Sequence, residues 1–387
     1  MKVNEFAGLR DQWYALARAE DVHAGAPLRA RLFGEEYTLW APSSGSPVLT
    51  EAFCPHRGAR LAAGTIQGDR LVCCYHGWEY APSGLCTRVP QLEAGLPVPP
   101  KARTKTWPVV ERYGLCWACV GEPSTDGPPP WYEADELGWR VQVDFLEPWA
   151  ASALRIIDNN LDISHPAFVH KGTFGDPSRP LVAPYELERT ATGFRANVPQ
   201  DVGGVGPQLG DSNEGRRYER SQETELLGPV HTRIRLSYGG SAADYCFYGS
   251  ATPLDDEHSL YVRVSALAGT EEDQPYSMFW DFSRRVTLED KFVLEETNPD
   301  FPLDITKEVH LRSDKVTLEY RRQLARLAAS REGVPNLSVS VSPSASAKSS
   351  ASASPSAAAS PSASAKSPAG TPADLGHPEG GRSEPAA

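Results

Sequence analysis

The run Cys54-Pro55-His56-Arg57-Gly58, answered by Cys73-Cys74-Tyr75-His76-Gly77-Trp78, constrains this chain more than any other feature. Each half offers one thiolate and one imidazole, spaced C-x-H and C-x-x-H. Such a set serves a [2Fe-2S] cluster in which two Cys hold one iron and two His hold the other. Neutral imidazole in place of thiolate raises the reduction potential, which suits one-electron relay. Zinc is the competing reading, because Cys2His2 also closes a tetrahedral site. Zinc motifs usually group Cys with Cys and His with His. Here the donors alternate around glycine turns, so the mixed-ligand cluster is the expectation, with Cys54, His56, Cys73 and His76 as its ligands. Cys74 adjoins a ligand, but the C-x-x-H spacing to His76 selects Cys73.

Such a cluster needs a scaffold, and 387 residues are enough for two or three domains. The formal charge of −12 argues against a basic nucleic-acid-binding surface. No apolar core follows the first residues, so no signal peptide is expected. No stretch approaches the length of a membrane helix. The expectation is a soluble cytoplasmic protein. Seven Cys, an odd number, do not suggest a disulfide framework. Cys116-Trp117-Ala118-Cys119 resembles a redox or metal pair, yet it sits in a short apolar run between glycines. On a strand, positions three apart face opposite sides, so core packing is expected.

Residues 1–122 alternate apolar stretches with Gly, Pro and Asp turns and are expected to form a small all-β domain carrying the cluster on two loops. Leu32 to Trp40 reads as a hairpin, and Arg70-Leu71-Val72 as a strand entering the second loop. Residues 123–130 are Pro-rich and read as a linker. Residues 131–331 read as α+β with an antiparallel sheet. Ile156 to His170 reads as helical with an interruption at Pro166. Strand-like runs begin at Phe194, His231, Tyr245, Ser259 and Met278. Two helices are expected near 288–296 and 313–328, the second burying Val316, Leu318, Tyr320, Leu324 and Leu327. Gly203 to Gly210 reads as a mobile loop, a candidate lid. Residues 332–387 are rich in Ser, Ala and Pro and are expected to be disordered.

The second half carries Asp162-x-x-His165-x-x-x-x-His170. Two His and one carboxylate on one face of an octahedron is the arrangement of non-haem Fe(II) oxygenases, with the opposite face open. A relay cluster upstream also needs a redox destination. The third ligand must come from elsewhere. Asp290 is the first choice on position, with Glu289, Glu295 and Asp281 as rivals. A plainer reading is that Thr287 and Asp290 form a helix capping box.

Together these segments resemble the oxygenase component of Rieske non-haem iron oxygenases, most similar to the vanillate O-demethylase and dicamba monooxygenase group. The likeness rests on the two cluster motifs, Asp158-Asn159, Leu161 to His165, His170, Gln12 to Ala17 and Glu289-Asp290-Lys291. It covers nearly everything before the tail. Cys74 departs from it, standing where the family often has Pro. The resemblance implies an N-terminal Rieske domain followed by a helix-grip (START-like) catalytic domain. It implies one [2Fe-2S] cluster and one mononuclear Fe(II) held by His165, His170 and Asp290. It makes Asp162 a bridge between His165 of one subunit and His76 of the next, in a homotrimer. It implies O2 as co-substrate and NAD(P)H electrons delivered through a flavin reductase, a ferredoxin or both. The expected reaction is hydroxylation or oxidative demethylation of a small aromatic or polycyclic substrate. The alternative is a Rieske electron-transfer protein without oxygenase activity. Such carriers have two further Cys near the cluster, where this chain has Ala59 and Tyr75.

Overall fold

The computed structural model describes residues 2–203, 217–238, 244–272 and 274–331. The Gly-rich stretch beyond Gly203 and everything from 332 onward lie outside the described residues, and with them the expected lid and tail. No described helix is long and apolar enough to cross a membrane.

The N-terminal part holds two antiparallel sheets. Six strands run in the order Tyr14–Arg18, Leu115–Ala118, Thr106–Arg112, Val48–Glu51, Glu35–Trp40 and Leu28–Leu32. Four short strands, Thr65–Gln67, Arg70–Val72, Glu79–Tyr80 and Cys86–Arg88, form the second sheet. The expected hairpin turns on Phe33-Gly34, where both residues take positive φ, 52° and 78°. Two such residues match the twist of the flanking strands. Phe33 tolerates that backbone because its ring is buried edge-on against Tyr14, with centroids 5.4 Å apart. Cys116 and Cys119 are both buried and fall in different core clusters, Cys116 with Tyr14 and Leu39, Cys119 with Trp13 and Trp117. They face opposite sides of the sheet and make no redox pair.

The C-terminal part is built on a seven-stranded antiparallel sheet. Its order is Trp139–Trp149, Ser259–Ala268, Tyr245–Pro253, His231–Ser237, Arg217–Leu226, Phe194–Gly203 and Leu187–Arg189. Helix Tyr276–Glu295 packs on this sheet through Phe279, which meets Leu236, Tyr245 and Leu267. A long helix held by an antiparallel sheet is the helix-grip arrangement.

Three sequence expectations need correction here. Met278 to Phe282 is not a strand but the start of that helix. Its aromatic residues favour strands by propensity, yet Phe279, Phe282, Ser283 and Thr287 are buried at helical spacing. The helix before the His pair stops at Leu161, ahead of Pro166, and Pro166 instead opens the short helix Pro166–Val169. Proline is at home there, since the first helical position needs no donor. The intervening Asp162 is the C-cap of the first helix, with extended backbone. Finally, Thr287 does not cap a helix. It lies mid-helix, donates to the Ser283 carbonyl at 2.8 Å and accepts from Arg263 at 2.8 Å. The last helix, Lys315–Arg331, buries Val316, Tyr320 and Leu324 as expected, while Leu318 is only half-buried.

Candidate metal centres

The two cluster loops are built alike. In the first, Gly58 N–H donates to the Cys54 carbonyl at 2.9 Å and Cys54 N–H to the Ala59 carbonyl at 2.8 Å. In the second, Gly77 N–H donates to the Cys73 carbonyl at 3.0 Å and Cys73 N–H to the Trp78 carbonyl at 2.9 Å. Gly58 and Gly77 adopt φ of 70° and 69°, which a Cβ would strain, so both turns require glycine. The matched turns bury Cys54 and Cys73 and bring the His56 and His76 rings to 4.4 Å between centroids.

Three features equip this end of the domain for a cluster. His56 Nδ1 is buried and has no partner, an orphan that a metal would satisfy. Trp78 stacks on His56 at 4.4 Å and 6°, which fixes the ring plane. The Tyr80 hydroxyl lies 3.0 Å from Cys54 Sγ. Burial and the neighbouring Cys54 sulfur push the Tyr80 phenol well up, so it stays protonated and donates to a thiolate. The donor set fits a mixed-ligand [2Fe-2S] group.

The second centre lies in the catalytic half. His165 Nε2 and His170 Nε2 are 3.3 Å apart, and each is 3.5 Å from Asp290 Oδ1. Among the described residues, these three form the group of His, Cys, Asp or Glu donors that converges within 4.8 Å. Chain geometry explains the convergence. His165 is the N-cap and His170 the C-cap of one short helix, so a single turn presents both rings to one side. Asp290 arrives from the long helix.

Each imidazole is faced from behind by a carboxylate, as ligand imidazoles usually are. Asp162 Oδ2 faces His165 Nδ1 at 3.5 Å. Glu289 Oε2 accepts from His170 Nδ1 at 3.0 Å and from Thr173 Oγ1 at 2.8 Å. Asn159 Nδ2 donates to Asp290 Oδ1 at 3.1 Å. Glu289 is therefore outside the convergent trio, although it neighbours Asp290 in sequence. Consecutive helical residues point about 100° apart, so only one of the two can aim at a common ion. That spacing did not tell which of the two it is. Asn159, Thr173, Trp78 and Tyr80 carry no sequence signal. Glu295 instead accepts from the Ala150 backbone, and Asp281 is exposed and outside the trio.

The charges set the two imidazoles apart. Burial lowers the His170 pKa, with Asp290 opposing and His165 reinforcing the shift, so a neutral imidazole is favoured. Burial works against a charged His165, but Asp162 and Asp290 outweigh it and hold its pKa up. Burial likewise raises Asp162, yet its bonds from His165 and the Ser164 backbone hold the carboxyl below its usual range. Two imidazoles and one carboxylate fit divalent iron.

A cavity of about 100 Å³ opens over the trio. Phe174, Ile234, Leu236, Phe247 and Phe279 supply apolar wall, and Asn160, Arg220 and Arg263 supply polar groups.

Paired Cys-His loops on one domain, and a two-His-one-carboxylate trio under a cavity on the next, define a Rieske non-haem iron oxygenase. The comparisons agree, and the chain belongs to that family. Residues 12–108 match the Rieske [2Fe-2S] domain, and residues 149–330 match the vanillate O-demethylase oxygenase C-terminal domain. The methylxanthine N1-demethylase NdmA of Pseudomonas putida is 29% identical over 336 residues, covering 84% of this chain and 91% of that protein. The structure of NdmA with caffeine superposes with a TM-score of 0.75 at 27% identity, over 86% of this chain and 94% of that one. Dicamba monooxygenase bound to dicamba shares the fold, with a TM-score of 0.68 at 19% identity over 84% and 98% of the two chains. The protein is thus a monooxygenase component that uses O2 and reductase-delivered electrons to oxidise a small molecule. The carrier-only reading leaves the second centre without a purpose.

Proposed function

We propose that this chain oxidatively demethylates or hydroxylates an aromatic or heteroaromatic small molecule. The convergence of His165, His170 and Asp290 at the floor of a largely apolar cavity carries this reading. NdmA, a demethylase, is similar over nearly its whole length, which favours demethylation.

His165, His170 and Asp290 would hold mononuclear iron, and Cys54, His56, Cys73 and His76 the cluster. When bound, these groups supply one-electron delivery and activation of O2. The chain does the rest. Glu289 and Asp162 fix the outer nitrogens of the two imidazoles, and Asn159 orients Asp290. The aromatic wall excludes water and offers a flat surface to a ring. Residues 1–122, 131–331 and the linker 123–130 divide the labour between electron supply and oxidation.

Asp162 is the proposed bridge to His76 of a neighbouring subunit in a homotrimer. In its own chain Asp162 contacts His165 and the Ser164 backbone, and none of its described bonds reaches the cluster loops. Tyr75 beside His76 is 64% exposed and Phe168 beside His165 is 59% exposed, surfaces that subunit contact would cover. A flavin reductase or ferredoxin is the proposed electron donor. Seven free cysteines suit a reducing cytoplasm.

The test is turnover with NADH and a surrogate reductase over methoxyarenes, N-methyl heteroarenes and polycyclic compounds. Formaldehyde release coupled to NADH use is expected from a methylated member, and a ring-hydroxylated product is the other supporting outcome. Full turnover by a His165→Ala variant would overturn the assignment of the site.

A further inference from the structure

A second cavity, of about 260 Å³, lies where the N-terminal hairpin meets the catalytic sheet, and it shares no lining residue with the cavity over the metal trio. Its volume is close to the ~300 Å³ at which small-molecule sites begin. The junction is pinned by the backbone. Phe33 N–H donates to the Pro253 carbonyl at 2.9 Å and Gly34 N–H to the Leu254 carbonyl at 2.7 Å. Strand register supplies the polar side of the pocket. Arg29 lies opposite Thr38, and Arg31 opposite Glu36, in the pairing of Leu28–Leu32 with Glu35–Trp40. Directly opposed residues share a face, as do residues two apart on one strand. All four therefore stand on one face of the sheet, and all four line the cavity. Arg60, two residues beyond Gly58 of the first cluster loop, joins them.

Three arginines thus face one pocket in a chain of net charge −12. Arg60 pairs with Glu36, and Arg31 pairs with Asp255 at 3.2 Å, both pairs being partly exposed. Such pairs hold their partners weakly. Asp255 is moreover shared with His258 at 3.0 Å. Arg29 has no carboxylate partner among the described residues. Thr38 supplies a second and independent sign. It is 0% exposed, yet its hydroxyl has no hydrogen-bond partner. Buried hydroxyls are normally satisfied, so this one marks a place for an acceptor. Leu254 and Leu260 add apolar wall from the catalytic part.

We propose that this pocket binds a phosphate group, held by Arg29, Arg31 and Arg60 with the Thr38 hydroxyl as a further donor. The site is separate from the oxidation cavity and does not depend on which substrate is oxidised there. Phosphate suits it because its several oxygens meet more than one guanidinium fork at once. A carboxylate has two oxygens, which a single fork saturates. Bound there, the ligand touches the hairpin strands, the end of the cluster loop and the catalytic sheet together.

The holoenzyme is titrated calorimetrically with phenyl phosphate, inorganic phosphate and benzoate at constant ionic strength, and its thermal midpoint is followed in parallel. At least one of the two phosphates is expected to bind and to raise the midpoint. Equal affinity for inorganic phosphate assigns the pocket to the free ion, and tighter binding of phenyl phosphate assigns it to a phosphate ester; both support the site. Benzoate should bind at least about tenfold more weakly. The double variant Arg29→Gln, Arg31→Gln should weaken phosphate binding by roughly a hundredfold and keep native iron content and cluster absorbance. Replacing the same two residues by Lys should recover part of the loss, because Lys keeps the charge without the fork. If the double variant fails to fold, Arg29→Gln alone, at an exposed and unpaired residue, should still lose about tenfold. Arg220→Gln, in the other cavity, should leave phosphate binding unchanged. Binding of neither phosphate, benzoate binding as tight as phosphate, native affinity in the Arg29 and Arg31 variants, or loss of binding in Arg220→Gln overturns the proposal.

Discussion

Glu289 and Asp290, consecutive on one helix, approach opposite nitrogens of the same imidazole. Glu289 Oε2 lies 3.0 Å from His170 Nδ1, while Asp290 Oδ1 lies 3.5 Å from His170 Nε2. One carboxylate thus orients the ring and the other joins it in facing a shared point. The arrangement separates a positioning group from the proposed ligand where sequence position alone offered both.

This separation predicts different outcomes for the two substitutions. Asp290→Ala should remove about one iron atom in three and leave the cluster's visible spectrum unchanged. Glu289→Gln should retain the site but weaken iron binding by roughly 10- to 100-fold. Iron analysis after graded chelation measures both. Equal iron loss in the two variants would contradict the division of roles.

Asp162 should matter for communication more than for metal content. Asp162→Asn is expected to keep both groups loaded and to slow oxidation of the reduced cluster by O2 and substrate. Stopped-flow absorbance follows that step. Native rates in this variant would remove Asp162 from the electron path.

The Tyr80 hydroxyl should tune the cluster. A hydrogen bond to a ligand sulfur stabilises the reduced, more negative state. Tyr80→Phe should therefore lower the reduction potential by about 60 mV, the one-electron equivalent of a ~1.4 kcal/mol hydrogen bond. Protein-film voltammetry tests it, and an unchanged or raised potential would refute the role.

Acid stability should report the Glu133–Arg233 pair. Burial raises the Glu133 pKa, but the hydrogen bonds and charge of Arg233 outweigh it and hold the carboxyl below its ordinary 4.5. A depressed folded pKa contributes stability that is present above 4.5 and lost as pH falls through the folded value. Glu133→Gln should destabilise the protein by about 3 kcal/mol at neutral pH, because Arg233 loses its closest buried partner. It should also flatten the acid side of the stability profile. Denaturant melts from pH 3 to pH 7 give both quantities, and a variant with the native acid limb would exclude this pair as its source.

Much of this molecule was legible in its residues because metal ligands are chemically specific. Cys54, His56, Cys73 and His76, the proposed cluster ligands, stand out by donor type and by spacing around Gly58 and Gly77. His165 and His170 do so by lying one short helix apart. Strand alternation also told that Cys116 and Cys119 face opposite ways. Residues 278–282 were misread because aromatic side chains favour strands locally, while burial of Phe279 and Phe282 on one face of a helix is a tertiary fact. Thr287 looked like a cap because the true start of its helix lies more than two turns earlier, at Tyr276.

The sequence by itself determined which atoms can hold metal, since thiolate, imidazole and carboxylate are fixed by residue identity and local spacing. Only the tertiary structure decided which carboxylate completes the trio and which orients it. It alone showed that Tyr80 meets Cys54 and that Arg60 joins Arg29 and Arg31 around one pocket. These relations join residues from about 20 to well over 100 positions apart. Packing of the long helix and the cluster loops sets such distances, and no local pattern encodes them.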